Sequence, residues 1–484
     1  MSVRNLEPKE LWNHFADINA VPRPSKREER IVQYMVNFGN SLGLETKTDA
    51  IQNVIIKKPA TPGMENRKTV ILQSHLDMVH QKNADTQFDF ETQGIEMYVD
   101  GDWVKAKGTT LGADNGIGVA SIMAILASKN IPHPAIEAMF TIDEETGMTG
   151  ALKLDGSNFQ GQILLNLDSE DDDELAIGCA GGIDTNTKYY YQEESVKPDA
   201  VFLTIAIRGL LGGHSGMDID KGRGNANKLM NRILYHLISL HEFQLISIDG
   251  GSLRNAIPRE STAVIAINKS ILADVKEAIS SISAILLHEF KTIEKGLTIN
   301  VEEKGEGDKA VTHEDILKIL NVIYTMPNGV FRMSPDIEGL VETSSSLARV
   351  IVNDGTFITQ SLQRSSVDSS KADIANAIRS GFELAGMAVV QNGDYPGWQP
   401  NMDSPILKLM HKMYVERFNE EPHVRACHAG LECGILGIHL PGVDMISFGP
   451  NIRAPHSPDE KVQISSVQKF WGFLLQVLNE IPQK

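Results

Sequence analysis

An α/β fold interrupted by an α+β insertion is predicted from three observations. Residues 1–185 alternate helical patterns with short apolar runs of strand length, the texture of a layered domain on a mostly parallel sheet. From about residue 186 the order becomes strand–helix–strand–strand–helix with local connections. Side chains suited to one site stand at strand ends in the first segment and on a loop near residue 456, so the stretch between reads as an insert. The expected organisation is a first α/β part over 1–185, an inserted domain over 186–394 and a second α/β part over 395–484.

Along the chain, Ser25-x-x-Glu28 reads as a capping box, followed by Ile31, Met35, Phe38 and Leu42 at helical spacing. Residues 54–56 and 69–72 are buried-strand runs, and 135–142 and 163–167 are two more. Residues 115–126 (NGIGVASIMAIL) are apolar nearly all round, as in a helix packed on a sheet. In the insert, 201–207 and 262–267 read as strands, with helices over 225–240 and 273–290. A similar order recurs with a helix over 314–324, strands near 347–352 and 356–362, and a helix near 371–384. Two related halves are therefore expected, although their sequences share no convincing identity. After a turn-rich stretch at 393–398, helices resume over 405–418 and 467–481.

The chain has 484 residues, 42% of them hydrophobic and 22% charged, enough to bury a large core. Its net charge of −18 repels nucleic-acid backbones and anionic lipid, so neither is an expected partner. Three scattered cysteines imply no disulfide framework. The first ten residues carry charges where a signal peptide needs its apolar core, and no run approaches the ~18 apolar residues of a membrane span. A cytoplasmic location is expected.

Four strand-like runs end in imidazole or acidic groups: Ser74-His75-Leu76-Asp77, Gly112-Ala113-Asp114-Asn115-Gly116, Asp143-Glu144-Glu145-Thr146-Gly147 and Asp168-Ser169-Glu170. Each alone is a weak signal. A His-x-Asp is common, an Asp before Asn-Gly is usually a turn or cap, and paired glutamates usually face solvent. Together, on the ligand-bearing edge of a parallel sheet, they point to a binuclear site for a divalent metal. His456, in the Pro-rich loop 449–460, is the candidate second imidazole. The acidic run 170–174 is expected to be a solvated loop, and Cys427 and Cys433 to be packing residues.

These segments resemble the aminoacyl-histidine dipeptidases (peptidase D, cytosolic non-specific dipeptidases) of the co-catalytic zinc peptidases that include carnosinases and aminoacylases. The likeness runs through Gly212-Gly213-His214-Ser215-Gly216, Arg254-Asn255-Ala256-Ile257-Pro258, Tyr395-Pro396-Gly397-Trp398 and His428-Ala429-Gly430-Leu431-Glu432 to Pro455-His456-Ser457-Pro458. One departure is His80, where a proline is expected in relatives. The resemblance implies a di-metal hydrolase domain interrupted by a lid and dimerisation domain. It implies two divalent ions, Zn²⁺ first with Mn²⁺ or Co²⁺ as substitutes. Asp114 would bridge them, with His75 and Asp168 on one ion and Glu145 and His456 on the other. Glu144 would be the general base and Asp77 the carboxylate that orients His75. His214 would stabilise the oxyanion with help from Asn255, Arg364 would grip the substrate carboxylate, and Gly430 would offer a backbone contact. It further implies hydrolysis of unblocked dipeptides, Xaa-His among them, by a homodimer joined through the lid. An N-acyl-amino-acid deacylase on the same metals, a two-metal phosphoesterase and a non-catalytic metal-dependent peptide-binding protein are the competing readings.

Overall fold

The computed structural model describes residues 2–484, which form two compact units. One comprises residues 2–178, Pro400–Ala426 and Leu431–Lys484; the other comprises Cys179–Gln399 and Cys427–Gly430.

The first unit is built on an eight-stranded sheet. Its centre is parallel: Ile136–Thr141, Val70–His75, Ile163–Asn166 and Asp444–Ser447 run side by side in that order. Antiparallel strands flank them, Glu45–Thr48 and Val54–Lys58 on one side and Glu174–Cys179 on the other. The sheet is thus mixed, with the expected parallel character confined to its four central strands. Val70–His75, Ile136–Thr141 and Ile163–Asn166 are buried at every position, as strands covered on both faces must be. The helix Ala113–Ala127 packs on Val70–His75 and is buried nearly all round, and the helix Lys9–Asn19 lies against it.

The expected capping box at Ser25–Glu28 does not form. The helix begins at Glu29 with no side-chain cap. The Ser25 hydroxyl instead donates to the Met78 carbonyl at 3.2 Å, and Glu28 accepts from the amides of Lys26 at 2.8 Å and Asp143 at 3.2 Å. Both side chains are recruited to the strand ends, which a local pattern cannot show.

A small four-stranded sheet adds the hairpin Ile452–Arg453/Lys461–Gln463 to Trp103–Ala106 and Met97–Asp100. Its tip, residues 454–460, holds His456.

The second unit is an 11-stranded sheet, antiparallel at every pairing described. Four strands, Thr298–Glu302, Ala200–Arg208, Ser261–Asn268 and Gln244–Gly250, form one half with the helices Ala226–Ile238 and Leu272–Phe290. From the opposite edge, Ala388–Tyr395, Gly181–Tyr190, Thr356–Ser365 and Val341–Asn353 repeat that order with the helices Asp368–Leu384 and His313–Thr325. The halves join where Ile248–Gly250 pairs with Val350–Val352. Each half is therefore strand–helix–strand–strand–helix–strand. The second takes its first strand from before the first half in sequence, which hides the repeat from a linear reading. Leu203, Ile205, Ile233, Ile265, Ile319, Phe357 and Phe382 fill one continuous core beneath both.

Candidate metal centre

The parallel strands deliver side chains to one edge because their carboxyl ends are in register: His75 lies opposite Thr141, and Gln73 opposite Asn166. His75 is the last residue of its strand. Asp143, Glu144 and Glu145 follow Ile136–Thr141, and Asp168 follows Ile163–Asn166. Asp143 has φ +53° and His456 φ +60°, left-handed conformations that side chains seldom adopt without a compensating constraint. Asp114 lies in the first turn of Ala113–Ala127, preceded by Gly112 at φ +70°. A side chain on Gly112 would come within 2.5 Å of the Arg23 guanidinium, so glycine is required there on two counts.

Five of the predicted side chains converge. His75 Nε2 lies 3.2 Å from Asp114 Oδ1 and 3.5 Å from Asp168 Oδ1. His456 Nε2 lies 3.3 Å from Asp114 Oδ2 and 3.0 Å from Glu145 Oε2. The two oxygens of Asp114 therefore face two different imidazoles, each with its own second carboxylate. Asp77, fully buried, places Oδ1 3.3 Å from His75 Nδ1. It also accepts the amides of Glu144 at 3.0 Å and Glu145 at 3.3 Å, tying the two glutamates to the histidine. Asn115 donates to Asp168 and to the Leu167 carbonyl.

The charge balance is informative. Among the described residues no Lys or Arg side chain bonds Asp114, Glu144, Glu145 or Asp168. Burial pushes the Glu144 carboxyl well above its usual range, and it raises Asp168 against the pull of His75. Burial would raise Asp114 as well, but His456 and His75 hold it far below normal. Hydrogen bonds to Asp114 and Glu145 push His456 up to about 11. Clustered, largely buried carboxylates with no Lys or Arg partner carry surplus negative charge, which divalent cations would neutralise. The donor set fits such ions: imidazole nitrogens, carboxylate oxygens, and Asp77 behind His75 to leave Nε2 free as a ligand. His75, Asp114 and Glu145 each offer a ligand atom within 4.8 Å of the others.

A second cluster lies within the other unit. His214 Nδ1 accepts the amides of Gly216 at 3.2 Å and Met217 at 3.0 Å, so its proton is on Nε2. Burial and the nearby Arg364 lower His214 to about 4, keeping it neutral. Arg364, 5% exposed, donates to Tyr395 Oη at 2.9 Å, and its Nη2 lies 3.5 Å from His214 Nε2. Its buried Nε has no partner among the described residues. Two N–H donors facing the same space form a place for an anion. Asn255 is exposed, and its carbonyl accepts the Ser215 amide at 2.8 Å. Gly430 ends the short segment Cys427–Gly430 that belongs to this unit.

Several supporting residues were not foreseen. Glu432 is buried and accepts from Gln73 at 2.7 Å and Thr141 at 2.8 Å, bracing the two strands that lead to His75 and Glu144. Arg23 and Glu460, both buried, hold the turn before Asp114. The acidic run is also not a simple solvated loop. Asp171 pairs with Arg453 at 2.6 Å, Asp172 with Lys469 at 2.8 Å and Glu174 with Arg425 at 2.9 Å, and none of the three is fully exposed. Glu432 lies inside the motif His428-Ala429-Gly430-Leu431-Glu432 and Glu460 closes the Pro-rich loop 449–460, whereas Arg23 left no signal in the sequence.

Comparison with known proteins identifies the family. Residues 205–294 match the family model described as the peptidase dimerisation domain, M20_dimer. Over 479 residues the chain is 43% identical to the cytosol non-specific dipeptidase of Escherichia coli K12, covering 99% of both chains. It superposes on the crystal structure of aminoacylhistidine dipeptidase from Vibrio alginolyticus with a TM-score of 0.94 at 43% identity, covering 100% of this chain and 99% of that one. An aminopeptidase structure from Bacillus cereus, at 16% identity and a TM-score of 0.54 over 98% of this chain and 99% of that one, shares the fold. The chain belongs to the cytosol non-specific (aminoacylhistidine) dipeptidase family of peptide-bond hydrolases.

Proposed function

We propose that the protein hydrolyses unblocked dipeptides, Xaa-His among them, with two divalent ions, Zn²⁺ first and Mn²⁺ or Co²⁺ as substitutes. The observation that carries this reading is Asp114, whose two oxygens face His75 and His456 separately, each beside a further carboxylate. His75 and Asp168 would hold one ion, Glu145 and His456 the other, and Asp114 would serve both. Bound there, the ions supply Lewis acidity that activates water and polarises the scissile carbonyl. The chain's own groups do the rest. Glu144 takes the proton of the attacking water and returns it to the leaving amine nitrogen. Asp77 keeps His75 oriented and holds the Glu144 and Glu145 amides. His214 donates an Nε2–H hydrogen bond to the oxyanion of the tetrahedral intermediate, in its own or a partner subunit's site, assisted by Asn255. Arg364 grips the free C-terminal carboxylate with its guanidinium fork, and Gly430 contributes a backbone contact.

The insert read over residues 186–394 acts as a lid and joins two chains into a homodimer. The match of residues 205–294 to a dimerisation-domain model supports the homodimer; a monomer by light scattering would contradict it. The catalytic assignment is tested by Glu144→Gln. With both metals still bound, dipeptide hydrolysis is expected to fall by at least about 100-fold, the usual scale for a general base. Near-normal turnover would overturn the role of Glu144.

A further inference from the structure

The two imidazoles reach the site on separate segments. His75 ends a sheet strand, whereas His456 stands on the loop 454–460 of a hairpin. Asp114 comes from a third segment, the first turn of Ala113–Ala127. Glu460, four residues past His456 and 2% exposed, connects two of the three. Its Oε2 accepts the amides of Leu111 at 2.7 Å and Gly112 at 2.9 Å. Its Oε1 accepts those of Ala113 at 2.7 Å and Asp114 at 3.3 Å. Four successive amides thus converge on one carboxylate, at a helix start whose N–H groups have no intrahelical partner.

An ordinary capping residue lies next to the helix it caps. Here the acceptor comes from 347 positions away in sequence. Arg23, itself buried, completes the connection: it donates to the Gly112 carbonyl at 2.6 Å, the Leu76 carbonyl at 3.0 Å and the Asp77 carbonyl at 3.1 Å. One buried anion and one buried cation therefore join the three segments that carry His75, Asp114 and His456.

We propose that Glu460 is a positioning residue for the metal pair: by gripping residues 111–114 it fixes the His456 loop against Asp114, so that the Asp114/Glu145/His456 half of the site is set before an ion arrives. The inference rests on the two-ion reading above. Loss of this brace would weaken that half selectively and leave the His75/Asp168 half, held by strands and by Asp77, close to normal.

The test is a Zn²⁺ titration of the metal-stripped full chain against a competing chelator, with thermal unfolding of the metal-free form as a second readout. Glu460→Gln keeps the shape but presents an amide NH₂ to backbone donors. It is expected to weaken one of the two ions by about 10- to 100-fold while sparing the other, the scale seen when a group behind a metal ligand is removed. Asp102→Asn is the control. Asp102 accepts from the Ser465 amide at 3.0 Å and Gln463 Nε2 at 3.0 Å, so it also ties this hairpin down, but without touching the Asp114 turn. It should leave both affinities unchanged. Glu460→Asp, which keeps the charge, should give a smaller selective loss and serves if the Gln variant does not fold. Wild-type affinity for both ions in the Gln variant, or in the Asp variant where the Gln variant is unfolded, would overturn the proposal. So would equal weakening of both ions. A wild-type chain taking up fewer than two ions would overturn the metal pair itself.

Discussion

Arg364→Lys keeps the positive charge of the second cluster but removes the planar fork. The guanidinium is 5% exposed, is anchored on Tyr395 Oη at 2.9 Å, and has a buried Nε without a partner among the described residues. If that fork holds a substrate carboxylate, the wild type makes two charge-assisted hydrogen bonds, each worth about 1.5–3 kcal/mol. Lysine can restore one of them as a point charge. The net loss is then about 1.5–3 kcal/mol, or roughly 10- to 150-fold in kcat/KM, carried mostly by KM if the contact is equal in ground and transition states. The assay compares a free dipeptide with its C-terminal amide on both enzymes. Wild type should favour the acid strongly, and the variant should lose most of that preference while its rate on the amide changes little. An unchanged acid-to-amide ratio would refute carboxylate recognition by Arg364 and leave it a structural partner of Tyr395.

Metal loading should release protons, because His456 is held protonated to about pH 11 in the metal-free chain and His75 is also raised well above its ordinary value. At pH 7.5 at least about one proton, that of His456, should leave as the imidazoles become ligands, read by calorimetry in buffers of different ionisation enthalpy. No release would contradict the ligand roles of both histidines. The sign for stability differs between the two forms. In the metal-free chain the raised His456 pKa contributes stability that is complete below 6.5 and lost only as pH rises towards about 11. The metal-loaded chain should instead lose stability as pH falls and protons compete for the same nitrogens.

Much of the candidate site was legible because its donors occupy strand ends, where residue type and the preceding apolar run are both visible in sequence. His75, Asp114, Glu145 and Asp168 show this. Apart from Asp77, their main supports Glu460 and Arg23 were not legible, because they act largely on backbone groups. Glu460 bonds four amides, and Arg23 bonds three carbonyls and one side chain, none of which leaves a residue-type signature. Ser25 and Glu28 fitted a local helix-capping pattern, yet long-range contacts at Met78 and Asp143 claimed both. In the insert, four strands of the repeat escaped notice: Gln244–Gly250, Thr298–Glu302, Gly181–Tyr190, inside which an expected boundary fell, and Ala388–Tyr395, whose end looked like a turn. Without them the repeat of the two halves shows as a likeness of order only.

The central claim is that two divalent ions, held by His75, Asp114, Glu145, Asp168 and His456, are required for dipeptide hydrolysis. The most direct test strips the full chain of metal, adds Zn²⁺, Mn²⁺ or Co²⁺ in stepwise equivalents, and follows both bound metal and hydrolysis of an Xaa-His dipeptide. Two ions should bind per chain, and full activity should appear only as the second site fills. Full activity in the stripped chain, or saturation of both binding and activity at a single ion, would contradict the account.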